Sequence, residues 1–180
     1  MWLTKTYICV LVVVMASCHF NKQPSSTHVT VDAFKVIQMV ASVPYMAAAY
    51  ISSPAPAYRC LTASLTSVNE TLKEGTYSWY FKSPIDHRAV VRQVNFHVRP
   101  GSTSDTLHFT VEGGGSEVYT SYCAYTNYEN CLVAKIPYTD EELCILWVTP
   151  ELVNNIPQQC LSEYHVTCPV EYRAYYSDIC

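Results

Sequence analysis

The spacing of apolar residues changes period at Pro44. Before it, Val36, Ile37 and Val40 recur at helical spacing behind Asp32, a residue able to cap the first free amides of a helix. After it, runs rich in Tyr, Val, Thr and Phe recur over 45–52, 58–67, 76–82, 89–99, 106–112, 117–128, 131–136 and 143–149. Turn chemistry separates them: Ser52-Ser53-Pro54, Lys73-Glu74-Gly75, Pro100-Gly101-Ser102 and Gly113-Gly114-Gly115. Eight short strands joined mostly by tight turns predict an all-β chain, an eight-stranded antiparallel up-and-down barrel. Thr149-Pro150-Glu151 reads as a helix start that Pro157 interrupts, and 158–166 can form a C-terminal helix before Pro169.

One hairpin gives a register to test. With its turn in 101–104, His97 lies opposite His108 and Phe96 opposite Phe109. Alternation then puts Phe96, Val98, Leu107, Phe109 and Val111 on an oily face, and Gln93, Asn95, His97, Arg99, Thr106, His108 and Thr110 on a wet one. Tyr77, Trp79 and Phe81 alternate in the same way along another strand, and Tyr122, Tyr125 and Tyr128 crowd a third. A barrel of eight strands either fills with side chains or holds one small ligand. The 15 Tyr, three Trp and five Phe, with a helix as plug, favour the ligand.

The first residues stand apart from this domain. Lys5, the apolar run 7–15 and the small Ala16 and Ser17 read as a signal peptide over 1–18, cut after Ser17 or Cys18, leaving a domain over 19–180. A buried N-terminal strand, or a lipoprotein box with Cys18 as lipid anchor, are the competing readings. No later segment is apolar enough to span a membrane, so a secreted, extracellular, monomeric protein is expected. Without Lys5, 10 basic residues face 15 acidic ones, a balance that offers nucleic acid no electrostatic footprint.

Seven cysteines follow the leader: Cys60, Cys123, Cys131, Cys144, Cys160, Cys168 and Cys180. In an exported chain they read as disulfides with one left over, and no C-x-x-C pair supports zinc. Asn69-Glu70-Thr71 is a glycosylation sequon. His97 and His108 have no third ligand nearby in sequence, so they read as exposed rather than metal-binding. Asp140-Glu141-Glu142 reads as a solvated hairpin tip. No G-x-S-x-G, H-E-x-x-H or phosphate-binding loop occurs, so neither an enzyme nor a cofactor is expected.

Cys131-Leu132-Val133 and Ile145-Leu146-Trp147-Val148, followed by Pro157, Cys160, Cys168 and a tyrosine-rich tail ending in Cys180, resemble the salivary lipocalins of ticks. Asp32-Ala33-Phe34-Lys35 resembles that family's Asp-x-Trp helix start, with Phe34 where tryptophan is usual. Residues 45–50 resemble its first strand and Cys60-Leu61 its second. The resemblance implies a lipocalin barrel with disulfides Cys60–Cys180 and Cys131–Cys160, and leaves the pairing of Cys123, Cys144 and Cys168 open. It also implies a ligand pocket built from Phe34, Tyr50, Tyr77, Trp79, Phe81, Phe96, Val98, Leu107, Phe109, Leu132, Ile145 and Trp147.

Members that bind histamine or serotonin carry Asp after a cysteine and Glu before Leu-Trp. Here those positions are Leu132 and Ile145. A buried ammonium needs a carboxylate partner, so a biogenic amine is disfavoured and a hydrophobic guest is expected. The lipid-holding branches are the nearer likeness, including the Japanin-like group that holds cholesterol, through Cys60-Leu61-Thr62-Ala63 and Tyr77-Ser78-Trp79-Tyr80-Phe81. The expected function is to bind a sterol, fatty acid or eicosanoid while modulating host immunity. The alternative is a filled barrel whose loops engage a host immune receptor or plasma protein.

Overall fold

The computed structural model describes residues 30–180, so the expected signal peptide lies outside the described residues. The first element is helix α1, Ala33–Ala41. Asp32 starts it by accepting hydrogen bonds from the N–H groups of Phe34 and Lys35, at 3.0 and 3.2 Å. Val36, Ile37, Met39 and Val40 turn inward from it and are buried.

Eight antiparallel strands follow in chain order: β1 Met46–Ile51, β2 Thr62–Asn69, β3 Glu74–Lys82, β4 Val90–Pro100, β5 Thr106–Val111, β6 Tyr119–Thr126, β7 Cys131–Tyr138 and β8 Glu141–Val148. Each pairs with the next, and β1 pairs with both β8 and β2, so the sheet closes. The up-and-down barrel with a short N-terminal helix and a C-terminal helix is the fold the sequence predicts. Closure satisfies edge hydrogen bonds that an open sheet would leave to solvent.

The closing seam is short. Only Met46↔Ala63 and Ala47↔Thr62 join β1 to β2. Beyond them a two-residue strand from the tail, β9 Tyr172–Arg173, takes over as partner of Tyr50 and Ile51. Ala174 donates to the Ala49 carbonyl at 3.0 Å and accepts from the Cys60 amide at 2.8 Å.

The strand expected over 58–67 starts late. Pro56–Tyr58 is a 3-10 turn, and Cys60 sits in the left-handed region at φ 57°, ahead of β2 rather than in it. The β4–β5 register also differs from expectation by two residues. Phe96 lies opposite Val111, His97 opposite Thr110 and Arg99 opposite His108, so the two histidines do not face each other. The turn is longer than expected: Gly101 donates to the Thr106 carbonyl at 2.8 Å, and Pro100↔Leu107 is the last strand pair. A shift of two preserves side-chain parity, so the oily and wet faces are as expected.

Apolar residues lie on both faces of one wall. Ile145 and Trp147 of β8 point into the barrel, while Cys144, Leu146 and Val148 pack outward under helix α2, Gln158–Thr167. That explains the unbroken apolar run of β8, which is buried on both faces. Pro150–Leu152 is a separate 3-10 turn, and α2 begins after Pro157.

Three disulfides strap the ends to the wall. Cys60–Cys180 holds the tail at the seam, while Cys131–Cys160 and Cys144–Cys168 anchor α2 to β7 and β8. Cys123 is unpaired among the described cysteines and buried inside the barrel. Burial, followed by the nearby Asp105 charge, pushes its thiol from the ordinary 9.0 up to about 12.

Two outcomes follow. Replacing Cys144 and Cys168 together by alanine is expected to cost about 2–4 kcal/mol in urea unfolding, because the bridge restrains the unfolded chain over 24 residues of separation. Iodoacetamide at pH 8 is expected to alkylate Cys123 in the folded protein roughly a thousandfold more slowly than in urea, the ratio of thiolate populations set by the shift. The folded state holds this proton more tightly than the unfolded chain. Stability is therefore expected to be intact below about pH 9 and to fall as pH rises toward about 12, checked by unfolding across that window.

Candidate ligand-binding site

The helical end of the barrel is sealed by contacts from α1 and its cap to three turns. Ala33 donates to the Ser104 carbonyl at 2.7 Å, the Asp32 amide to the Tyr128 hydroxyl at 2.6 Å, and Gln38 Nε2 to Glu70 Oε2 at 3.2 Å. Gly75 makes that seating possible. A Cβ there would lie 2.9 Å from Leu65 Cδ1, 3.1 Å from the Ser67 carbonyl and 3.4 Å from Ile37 Cγ2.

The opposite end is closed by rings and two charged side chains. The Arg92 guanidinium stacks 3.9 Å from the Phe81 ring centroid, and Phe81 meets Tyr58 and Tyr138 at 6.2 and 6.1 Å. The Tyr58 hydroxyl donates to Glu141 Oε1 at 2.9 Å. Burial, then that bond, raises the Tyr58 pKa above the usual phenol range. Glu141 is therefore part of the closure rather than only a solvated tip.

Between the two ends lies an aromatic layer centred on Trp79, whose ring lies 4.9 Å from Phe96, 5.2 Å from Tyr138 and 5.6 Å from Trp147. On the α1 side of this layer is an apolar cavity of about 60 Å³. Tyr77, Trp79, Phe96 and Val98 line it from β3 and β4, Leu107 and Phe109 from β5, and Leu132 and Trp147 from β7 and β8. Ligand pockets for drug-sized molecules run to about 300–1,000 Å³. As the rings stand, the cavity admits only a few atoms, and a larger guest requires them to turn.

Four of the residues expected to form the pocket lie elsewhere. Phe34 is half-buried on α1, with the Lys73 ammonium 5.5 Å above its ring. Phe81 belongs to the closed end, and Ile145 is buried inside the barrel without reaching the cavity. Tyr50 is on the outer face, stacked 6.0 Å from Tyr164 of α2. A bulge between Ala48 and Tyr50 interrupts the alternation of β1, so Tyr50 turns out and Ile51 turns in.

Other lining residues were not anticipated. Val40, Met46, Ala63, Ala134 and Ile136 extend faces that alternation already marked. Ser121 and Cys123 of β6 also reach the cavity. They gave no signal, because they are small or polar residues flanking Tyr122, the large ring of β6 that is exposed.

The polar content of the cavity is low and uncharged. Among the described residues no acidic or basic side chain lines it. The Tyr77 hydroxyl is buried without a hydrogen-bond partner among the described residues, and Ser121 Oγ is 3.5 Å from the Leu107 carbonyl. A larger, more polar groove of about 490 Å³ contains His97, Arg99 and His108. There His97 Nδ1 lies 3.2 Å from Thr76 Oγ1. Asn69, the sequon asparagine, is exposed at the end of β2, and its Oδ1 accepts from the amides of Thr71 and Leu72, both at 3.1 Å.

Among the described residues no helix is long and apolar enough to cross a membrane. No curated protein sequence matches the chain. Solved structures share its fold, two of them as follows. One is the crystal structure of the AM182 serotonin complex, with 13% identity and a TM-score of 0.61, covering 84% of this chain and 94% of that one. Another is Japanin from Rhipicephalus appendiculatus bound to cholesterol, with 18% identity and a TM-score of 0.56, covering 76% of this chain and 93% of that one. Residues 21–180 match the family described as tick histamine binding protein. That match runs through both helices and every strand, and the chain belongs to the tick histamine-binding protein family.

Proposed function

We propose that this protein is a secreted carrier that holds one hydrophobic small molecule in its barrel and thereby dampens host inflammatory or immune responses. The observation that carries the proposal is the cavity wall, which is apolar and without a charged side chain. Leu132 faces the cavity and Ile145 is buried inside the barrel, at the positions where the resemblance to amine binders calls for carboxylates. An ammonium brought here would lose its water and find no counter-charge, a penalty of several kcal/mol. An apolar body gains about 25 cal/mol for each Å² it removes from water, and turned rings can make room for it.

Tryptophan fluorescence is the direct test, since Trp79 and Trp147 line the cavity. Delipidated protein titrated with cholesterol or arachidonate is expected to show saturable quenching, and histamine and serotonin are expected to show none at matched concentrations. Tight binding of an amine with no response to either lipid would overturn the reading.

A second reading draws on the fullness of the barrel. With only about 60 Å³ free, the interior is nearly a packed core, and the β3–β4 hairpin exposes Ile85 and Val91. This favours a loop surface that engages a host protein. Capture of a plasma or leukocyte protein that survives delipidation and is lost in an Ile85→Ser, Val91→Ser variant is the expected signature of that reading.

Export and modification belong to the same proposal. Three disulfides suit an oxidising compartment, and Asn69 is exposed, its side-chain oxygen bracing the turn. Protein secreted from insect cells is expected to start at residue 18 or 19 and to lose mass on treatment with peptide N-glycosidase. Retention of the leader or an unchanged mass would contradict the corresponding step.

A further inference from the structure

The cavity has one polar feature for which the fold has no internal use. Tyr77 on β3 sends its hydroxyl into a fully buried position, where it meets no hydrogen-bond partner. Ser121 and Cys123 on β6 reach the same cavity from another wall. The Cys123 thiol is near enough that its ionised form would disfavour ionisation of Tyr77. Burial, the larger effect, raises the Tyr77 pKa further, and the Cys123 thiol also stays protonated. The three uncharged polar groups line one cavity that is otherwise apolar.

A buried hydroxyl without a partner is costly, so native structures usually supply one. Ordered water is a poor candidate here. A buried water needs two to four polar partners, whereas Ser121 already leans on the Leu107 carbonyl and a thiol bonds weakly. Charged ligand groups are equally poor. A carboxylate would find no lysine, arginine or histidine on this wall, and an ammonium no acid.

We propose that Tyr77 is the recognition residue for an uncharged hydroxyl on the ligand, so that the protein selects apolar alcohols over fatty acids and over hydrocarbons of the same shape. This rests on the reading of the barrel as a site for an apolar ligand. Ser121 and Cys123 are the other polar groups of the cavity, while the surrounding rings hold the body of the guest. The ligand hydroxyl supplies the partner that Tyr77 lacks in the unliganded protein.

The test compares cholesterol with its deoxy analogue, identical but for the hydroxyl, in wild type and in Tyr77→Phe, by tryptophan fluorescence titration. Wild type is expected to bind cholesterol roughly three- to tenfold more tightly than the analogue, the worth of one buried hydrogen bond. In Tyr77→Phe the preference is expected to vanish or to reverse, because the sterol hydroxyl then enters the cavity without its partner. The unliganded variant is expected to melt at or above the wild-type temperature, because it loses an atom that bonds to nothing. Equal affinities in wild type, or a preference that survives Tyr77→Phe, would overturn the assignment while leaving the apolar site standing. If neither sterol nor arachidonate binds, the apolar reading fails and this assignment fails with it. Ser121→Ala is the second variant, and a complete loss of the preference there with Tyr77 intact would place recognition on Ser121 and overturn the role given to Tyr77.

Discussion

Closure at β1 is the constraint on which the rest depends. A sheet of eight strands becomes a barrel only if its first and last members meet, and here β1 must serve two neighbours at once. Its pairing with β8 is extensive, but its pairing with β2 covers only two residue pairs. The remainder of the seam is completed by the C-terminal tail, which adds Tyr172–Arg173 to β1 and ends at the Cys60–Cys180 bridge. A staple across 120 residues is therefore placed where the sheet has least hydrogen bonding of its own. The same seam explains why Cys60 departs from extended backbone at φ 57°, since the chain turns there to meet the tail before entering β2.

The wall that closes the seam is also a boundary between two apolar regions. The β1 bulge sends Ala49 and Tyr50 outward to α2 and returns Ile51 to the interior. Disulfides at Cys131 and Cys144 then fix α2 against the outer face. With that face buried beneath a pinned helix, the interior need not supply all of the stability. It can tolerate a cavity, an unpartnered hydroxyl and an unpaired thiol, each of which would weigh heavily in a barrel that relied on its core alone.

Much of this was legible because period and chemistry agreed. Asp32 and the helical spacing of Val36, Ile37 and Val40 marked α1, and alternation marked the inward faces of β3, β4 and β5. Legibility failed where local irregularity changed parity or register. The bulge in β1 moved Tyr50 to the outside, and the longer β4–β5 turn separated His97 from His108. Proximity in space was the other blind spot. Nothing in the spacing of Cys144 and Cys168 distinguished that pair from one with Cys123, and only the folded wall separates an outward thiol from an inward one. Ser121 and Cys123 were hidden for a related reason: small inward residues on either side of the exposed Tyr122 invert the expected contrast between oily and wet faces.

The interior chemistry follows from what a closed wall does to charge. Once α1 seals one end and the Arg92–Phe81 stack with the Tyr58–Glu141 bond closes the other, any charge inside has little water to screen it. A barrel that takes an ammonium must then carry its own carboxylates, fixed in place before the ligand arrives. On the proposed reading, Leu132 and Ile145 at those positions remove the attraction for amines and also the cost of holding unpaired acids when no ligand is present. What remains is a medium in which a neutral hydrogen bond counts for more than it would in water. In such a medium one orphan hydroxyl is enough to discriminate among guests of equal size. On the proposed reading, selectivity in this barrel rests on a single dipole at Tyr77 rather than on a counter-ion, and the aromatic layer around Trp79 sets how large a body can accompany it.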